Sequence, residues 1–91
     1  MKISWTPAAA ADLEQISDYL FERNPKVTID ITRRIYSAAS ALSQFPASGR
    51  LGRKEGTREL VVTGSPYLIV YDVEKQAVKI LRILHGARRW P

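Results

Sequence analysis

Ninety-one residues, 45% of them apolar, make one globular domain (residues 1–91) with one core, and the chain carries a net charge of +5. With no cysteine and one histidine, disulfides, thiolate-bound metals and all-histidine sites are excluded; only a carboxylate Mg²⁺ site stays formally open, and no cofactor is expected. The opening MKISWTP has no apolar signal-peptide core, and no run approaches the ~20 apolar residues of a membrane span, so a cytoplasmic protein without membrane contact is expected.

The first strand candidate is Lys2–Trp5. Thr6-Pro7 then signals a helix start, Thr as N-cap and Pro where its missing N–H costs nothing. Ala8 to Phe21 propagates the helix, with Leu13, Ile16 and Leu20 forming one apolar stripe and Asp12 and Glu14 near the positive end. Asn24-Pro25 stops it, because the residue before proline is pushed out of the helical region. A second helix is predicted from Lys26 to Phe45, its stripe being Val27, Ile31, Ile35, Ala38, Leu42 and Phe45.

Residues 46–58, PASGRLGRKEGTR, read as a loop: Pro46 and three glycines exclude a helix, and Arg50, Arg53, Lys54 and Arg58 make it basic. The loop lacks the Walker spacing and precedes a strand rather than a helix, so it is a poor phosphate cradle but a fair contact surface. Three strands are predicted over Glu59–Thr63, Tyr67–Val73 and Val78–Leu84, broken by Gly64-Ser65-Pro66 and Glu74-Lys75-Gln76. The order is β-α-α-β-β-β. Each helix has one apolar stripe and only the sheet can receive it, which gives an α+β fold: an antiparallel two-helix hairpin on one face of a mainly antiparallel sheet.

Strict alternation puts Tyr67, Ile69, Tyr71 and Val73 on one face of the middle strand and Leu68, Val70 and Asp72 on the other. It also sets Val78, Ile80, Arg82 and Leu84 against Lys79, Leu81, Ile83 and His85. Neither face is purely polar, so both strands are expected to be central and covered on both sides. Arg82 among apolar neighbours either snorkels its guanidinium out to solvent, or pairs with Asp72 or Glu59, or reaches a ligand.

Charge separates the two halves. Residues 1–49 balance five basic against five acidic groups, whereas residues 50–91 hold nine basic and four acidic. An acidic or polyanionic partner for the second half follows. The final strand delivers His85, Arg88, Arg89 and Trp90 to the chain end, residue types suited to a polyanion or a protein groove. His85 is either a strand-end residue or, flanked by Arg82 and Arg88, part of a metal-free RNA-cleaving site; Trp90 is either a core cap or a stacking surface. No nucleophile elbow surrounds any serine and no carboxylate pair is evident, the acids being expected on solvent faces of the helices.

The segments WTPAAAADLEQI at 5–16, FPASGR at 45–50, GTRELVV at 56–62, PYLIVY at 66–71 and ILRILHGARRWP at 80–91 follow one another with compatible spacing. Together they resemble the RelE/ParE superfamily of toxins from bacterial toxin–antitoxin modules, over nearly the whole chain. The resemblance implies a compact toxin neutralised by a cognate antitoxin that wraps it with a helical and an extended segment. RelE-like members cleave mRNA on the ribosome and keep an arginine at the start of a central-strand motif R-L-V-Y, where Leu68 stands here. The ending Ile83-Leu84-His85, with Arg88 three residues on, is similar to ParE-like members, which are associated with inhibition of DNA gyrase and need no chemistry of their own. The ParE-like reading is therefore favoured. Its target-binding candidates are Arg50, Arg53, Lys54, Arg58, Arg82, His85, Arg88, Arg89 and Trp90; a ribonuclease would draw its catalytic groups from Arg58, His85 and Arg88. A plain basic nucleic-acid-binding module is a third reading, which fits the charge but supplies no recognition-helix motif.

Overall fold

The computed structural model describes residues 1–86 and contains β1 (Lys2–Trp5), α1 (Pro7–Arg23), α2 (Pro25–Ala41), β2 (Arg50–Leu51), β3 (Arg58–Val61), β4 (Tyr67–Glu74) and β5 (Ala77–His85). The five strands form one sheet in the order β1-β5-β4-β3-β2. β1 runs parallel to β5, and every other neighbour pair is antiparallel. The expected two-helix layer on a mainly antiparallel sheet is thus present, with one strand more than the sequence suggested.

Local signals fix the helices. The Thr6 hydroxyl accepts from the Ala9 N–H at 3.1 Å and Pro7 opens α1. A single residue then serves two helices: the Asn24 N–H donates to the Leu20 carbonyl at 2.7 Å, closing α1, while its side-chain oxygen accepts from the Val27 N–H at 3.3 Å, opening α2. α2 ends at Ala41, four residues earlier than expected. Beyond it Ser43, Gln44 and Ser48 donate to carbonyls three residues back. This tighter winding rotates Phe45 off the stripe, leaving it 63% exposed. Val27 at the other end is also exposed, whereas Ile31, Ile35, Ala39 and Leu42 are buried.

The main core joins those α2 residues and Ala9 to Tyr67, Ile69, Tyr71, Val78, Ile80 and Ile83. A second cluster holds Leu68, Val70 and Leu84, with Leu81 packed against it. The alternation expected along β5 fails at one point: Val70 pairs with Arg82 but Tyr71 pairs with Ile80, so Leu81 is an extra residue. This bulge resets the phase, which is why Ile83 joins the core of Val78 and Ile80 while Leu81 and Leu84 join the other cluster. The segment read as a plain loop contains β2, paired with Arg58 and Glu59.

Candidate functional site

The basic segment after α2 is held from inside. Glu59 on β3 is 2% exposed and is the anchor. Its carboxylate accepts from the Arg50 guanidinium at 3.2 Å and the Arg53 backbone N–H at 3.1 Å, with the Arg53 Nε at 3.5 Å. Burial pushes this carboxyl up, but the Arg53 amide, the Arg50 hydrogen bond and both positive charges outweigh it, so its pKa lies below the ordinary 4.5. Arg58 donates to the Gly49 carbonyl at 2.8 Å. The buried Tyr71 hydroxyl donates to the Pro46 carbonyl at 2.8 Å and accepts from the Gly49 N–H at 2.9 Å. Gly49 is required here: a Cβ would stand 2.7 Å from that hydroxyl. The segment is therefore a braced platform, and Arg50 and Arg53 still present 63% and 45% of their side chains to solvent. Lys54 is exposed on the turn that closes when the Thr57 hydroxyl and N–H donate to its carbonyl.

The end of β5 is organised by α1. β1 accompanies β5 only as far as Ile80. Past that point the Thr6 hydroxyl donates to the Leu81 carbonyl at 3.1 Å, and Asp12 takes over the free edge. The Asp12 carboxylate accepts from Arg82 Nε at 2.7 Å, Arg82 Nη2 at 3.0 Å and the Ile83 N–H at 2.9 Å. Arg82 thus pairs with Asp12, not with Asp72 or Glu59. Asp12 is also not on a solvent face: it is 8% exposed. Beside this pair lies a cleft of about 290 Å³ lined by Asp12, Gln15, Tyr19, Tyr67, Ile83 and His85. The exposed His85 meets the Tyr67 ring edge-on at 5.8 Å. Burial, and then Tyr19, push the Tyr67 hydroxyl above its ordinary pKa. Arg88, Arg89 and Trp90 lie outside the described residues.

The two basic regions do not merge. Arg50, Glu59, Val70 and Arg82 pair in one row across β2, β3, β4 and β5. Three strand spacings, roughly 14 Å, therefore separate Arg50 from Arg82. Leu68, which the resemblance sets against an arginine of the RNA-cleaving branch, is 3% exposed within the second cluster. Among the described residues no group of three His, Cys, Asp or Glu could hold a metal ion, and no helix is long and apolar enough to cross a membrane. Asp12 and Glu59 are the organising carboxylates; sequence reasoning put Asp12 on a solvent face of the first helix and offered Glu59 only as a partner for Arg82. The one available signal was an arginine in an apolar strand, which demands a carboxylate, and Asp12 is 70 residues away.

The chain is similar in sequence and in fold to known proteins. The chain is 39% identical over 90 residues to Y4kP, a candidate toxin of Sinorhizobium fredii, covering 99% of this chain and 93% of that one. It is 40% identical over 87 residues to toxin RelE2 of Caulobacter vibrioides, covering 96% and 97%. Among solved structures, a chain of the chromosomal ParDE toxin–antitoxin system of P. aeruginosa superposes with a TM-score of 0.86 at 28% identity, covering 93% of this chain and 95% of that one. The RelBE2 toxin–antitoxin complex of Mycobacterium tuberculosis shares the fold, with a TM-score of 0.62 at 24% identity over 92% and 95% of the two chains. The family model for the ParE toxin of type II toxin–antitoxin systems, parDE, matches residues 3–90. From its cap residues to its final strand, this chain belongs to the ParE toxin family of type II toxin–antitoxin systems, within the RelE/ParE superfamily.

Proposed function

We propose that this toxin arrests growth by binding DNA gyrase, without chemistry of its own, and that a cognate acidic antitoxin neutralises it in the cytoplasm. The observation that carries the first part is the internal use of its cations. Arg82 is held by Asp12, Arg50 and Arg53 by Glu59, and Arg58 by the Gly49 carbonyl. A phosphoryl-transfer site needs preorganised cations whose N–H donors converge on the phosphorane. The described cations instead spend donors on internal carboxylates and carbonyls in two separate regions, and Leu68 offers none. A braced cationic platform suits docking better than turnover. The ParDE likeness at 28% identity supports the same reading.

The basic second half, with Phe45, Leu51 and Val61 exposed beside it, suits an acidic segment carrying apolar anchors. Antitoxins stand in the ParDE and RelBE2 systems, which supports such a partner here. One observation favours a second reading: the relative at 40% identity carries the RelE name, which keeps ribosome-dependent mRNA cleavage as the alternative.

Purified chain assayed in parallel decides between them. Inhibition of gyrase-catalysed supercoiling with no cleavage of ribosome-programmed mRNA is expected; cleavage without inhibition reverses the assignment. Expression alone should stop growth, and co-expression of the neighbouring acidic reading frame should restore it. Robust growth on verified expression of folded chain would count against both parts.

A further inference from the structure

The cleft beside the Asp12–Arg82 pair holds more polar groups than the fold itself uses. Its volume is about 290 Å³ and its lining includes Asp12, Gln15, Tyr19, Tyr67, Ile83 and His85. Asp12 and Tyr67 are polar side chains that folding has buried, each 8% exposed. The Tyr67 ring belongs to the main core, yet among the described residues its hydroxyl has no hydrogen-bond partner and opens on the cleft. Tyr71, on the same strand, shows how a structural phenol is used: its hydroxyl donates to Pro46 and accepts from Gly49. A largely buried hydroxyl left without a partner is costly to keep. The one on Tyr67 borders a space that a ligand can fill.

The chemistry of the lining selects that ligand. Asp12 and Arg82 form a close ion pair at 2.7 Å, so together they bring no net charge to the cleft. An anion would lie against Asp12 and a cation against Arg82, whereas a neutral molecule meets neither repulsion. Three donors occupy the Asp12 oxygens, which leaves about one of their roughly four lone-pair positions for another N–H. Gln15 is exposed on α1 and makes no side-chain hydrogen bond among the described residues, so its amide offers a donor and an acceptor side by side. Tyr19 and His85 contribute exposed rings, and Ile83 an apolar wall. A flat, uncharged heterocycle with an amine beside a ring nitrogen matches this set. Adenine presents that edge: an amide side chain pairs bidentately with its N6 amine and N7, whereas guanine shows two acceptors there and suits an arginine fork. Aromatic side chains stack on either base. The volume lies at the small end for ligand sites and suits one base rather than a dinucleotide.

We propose that this cleft binds an adenine base, in a nucleotide or in an unpaired strand, with Gln15 on its amine and N7, the Tyr67 hydroxyl on a further ring nitrogen, and Tyr19 and His85 against its ring. The inference does not rest on which target the toxin arrests, and its test uses none.

The full chain is titrated with adenosine 5′-monophosphate and with the guanosine, cytidine and uridine monophosphates, while backbone and Gln15 side-chain amide NMR signals are followed. Saturable binding with shifts centred on Gln15, Tyr19, Tyr67 and Ile83 is expected, with the uridine nucleotide weaker by about tenfold or more. Ribose 5-phosphate, which carries the anion without the base, should not compete. Gln15→Leu should weaken the adenine nucleotide by about tenfold. Tyr67→Phe removes only the hydroxyl and should weaken it by about fivefold, with a melting temperature equal to the parent's or higher, so that misfolding does not decide the outcome. An adenine-containing tetranucleotide that binds more tightly than the mononucleotide assigns the base to a strand, and equal affinity assigns it to a free nucleotide; both support the site. No saturable shift at about 10 mM nucleotide, equal affinity for all the nucleotides, competition by ribose 5-phosphate, shifts centred on residues 50–58, or affinity unchanged in both variants overturns the proposal. So does N-acetyltryptophanamide binding as tightly as the adenine nucleotide, which gives the cleft to an aromatic side chain of a partner protein.

Discussion

Asp12 is one carboxylate satisfying three donors on β5. Asp12→Ala strands a guanidinium that is 27% exposed and a strand N–H together, and should cost about 3 kcal/mol, read as a drop in the urea midpoint. Asp12→Asn should cost less, because an amide oxygen still accepts one bond; equal losses would mean that charge, not hydrogen bonding, holds the strand end. Two further carboxylates respond to pH with opposite sign. The folded pKa of Glu59 lies below 4.5, so its stabilisation is full above that value and is lost as pH falls through the lower folded value. Glu59→Gln should lose about 2 kcal/mol at pH 7, and the gap to the parent should close in strong acid. Asp72 is the reverse case: burial first, then Glu74, push its carboxyl above 3.8 against the pull of Lys79, and its Oδ1 is buried without a partner among the described residues. Its favourable contribution is full below 3.8 and is lost as pH rises through the raised folded value. Asp72→Asn should therefore raise the melting temperature at neutral pH and lose that advantage in acid; a lower melting temperature at neutral pH would contradict the account.

At the scale of elements, the β4–β5 hairpin carries strain that its sequence does not need. Lys75 and Gln76 have φ values of 46° and 65°, the left-handed region that side chains disfavour. A two-residue turn with both residues there prefers Asn-Gly. Replacing Lys75 by Asn and Gln76 by Gly should stabilise by about 1 kcal/mol, a rise of roughly 4–8 °C in melting temperature for a domain this size. An unchanged melting temperature would mean that Lys75 or Gln76 makes a compensating contact. Thr6 shows the opposite economy. Its hydroxyl caps α1 and donates to the Leu81 carbonyl beside the bulge, so one short side chain ties the first helix to the last strand.

For the whole molecule, the charge halves divide the labour. The cations of the braced platform and the strand end lie on the surfaces that the proposed function assigns to a target or antitoxin. By composition alone, the sequence beyond β5 suits the same kind of partner. Arg88, Arg89 and Trp90 are residue types whose truncation at an interface can cost more than ~2 kcal/mol, whereas a surface substitution shifts stability by about 0.5 kcal/mol or less. Replacing all three by Ala should abolish growth arrest and leave the melting temperature nearly unchanged. A large fall in melting temperature would instead make Trp90 part of the core, and a folded, fully toxic variant would move the active surface to the platform of Arg50, Arg53, Lys54 and Arg58.

The sequence alone determined what depends on neighbours a few residues apart. Thr6-Pro7 and Asn24-Pro25 set the helix boundaries, because capping and proline sterics act within one turn. The apolar runs marked β3, β4 and β5 to within a residue or two, and the family's ordered segments were legible because spacing along the chain is itself the signal. Tertiary structure decided what depends on residues far apart. β2 is two residues long and is a strand only because Arg58 and Glu59 lie beside it. The alternation along β5 breaks at Leu81, where β1 has left and Thr6 and Asp12 of the first helix satisfy the edge instead. Arg82 needed a carboxylate, a demand visible in sequence, but the chain offers nine acidic residues, and packing of α1 against β5 chose Asp12 among them. A local pattern fixes which groups require partners; only the fold, by setting distances between segments 70 residues apart, determines which partners they get.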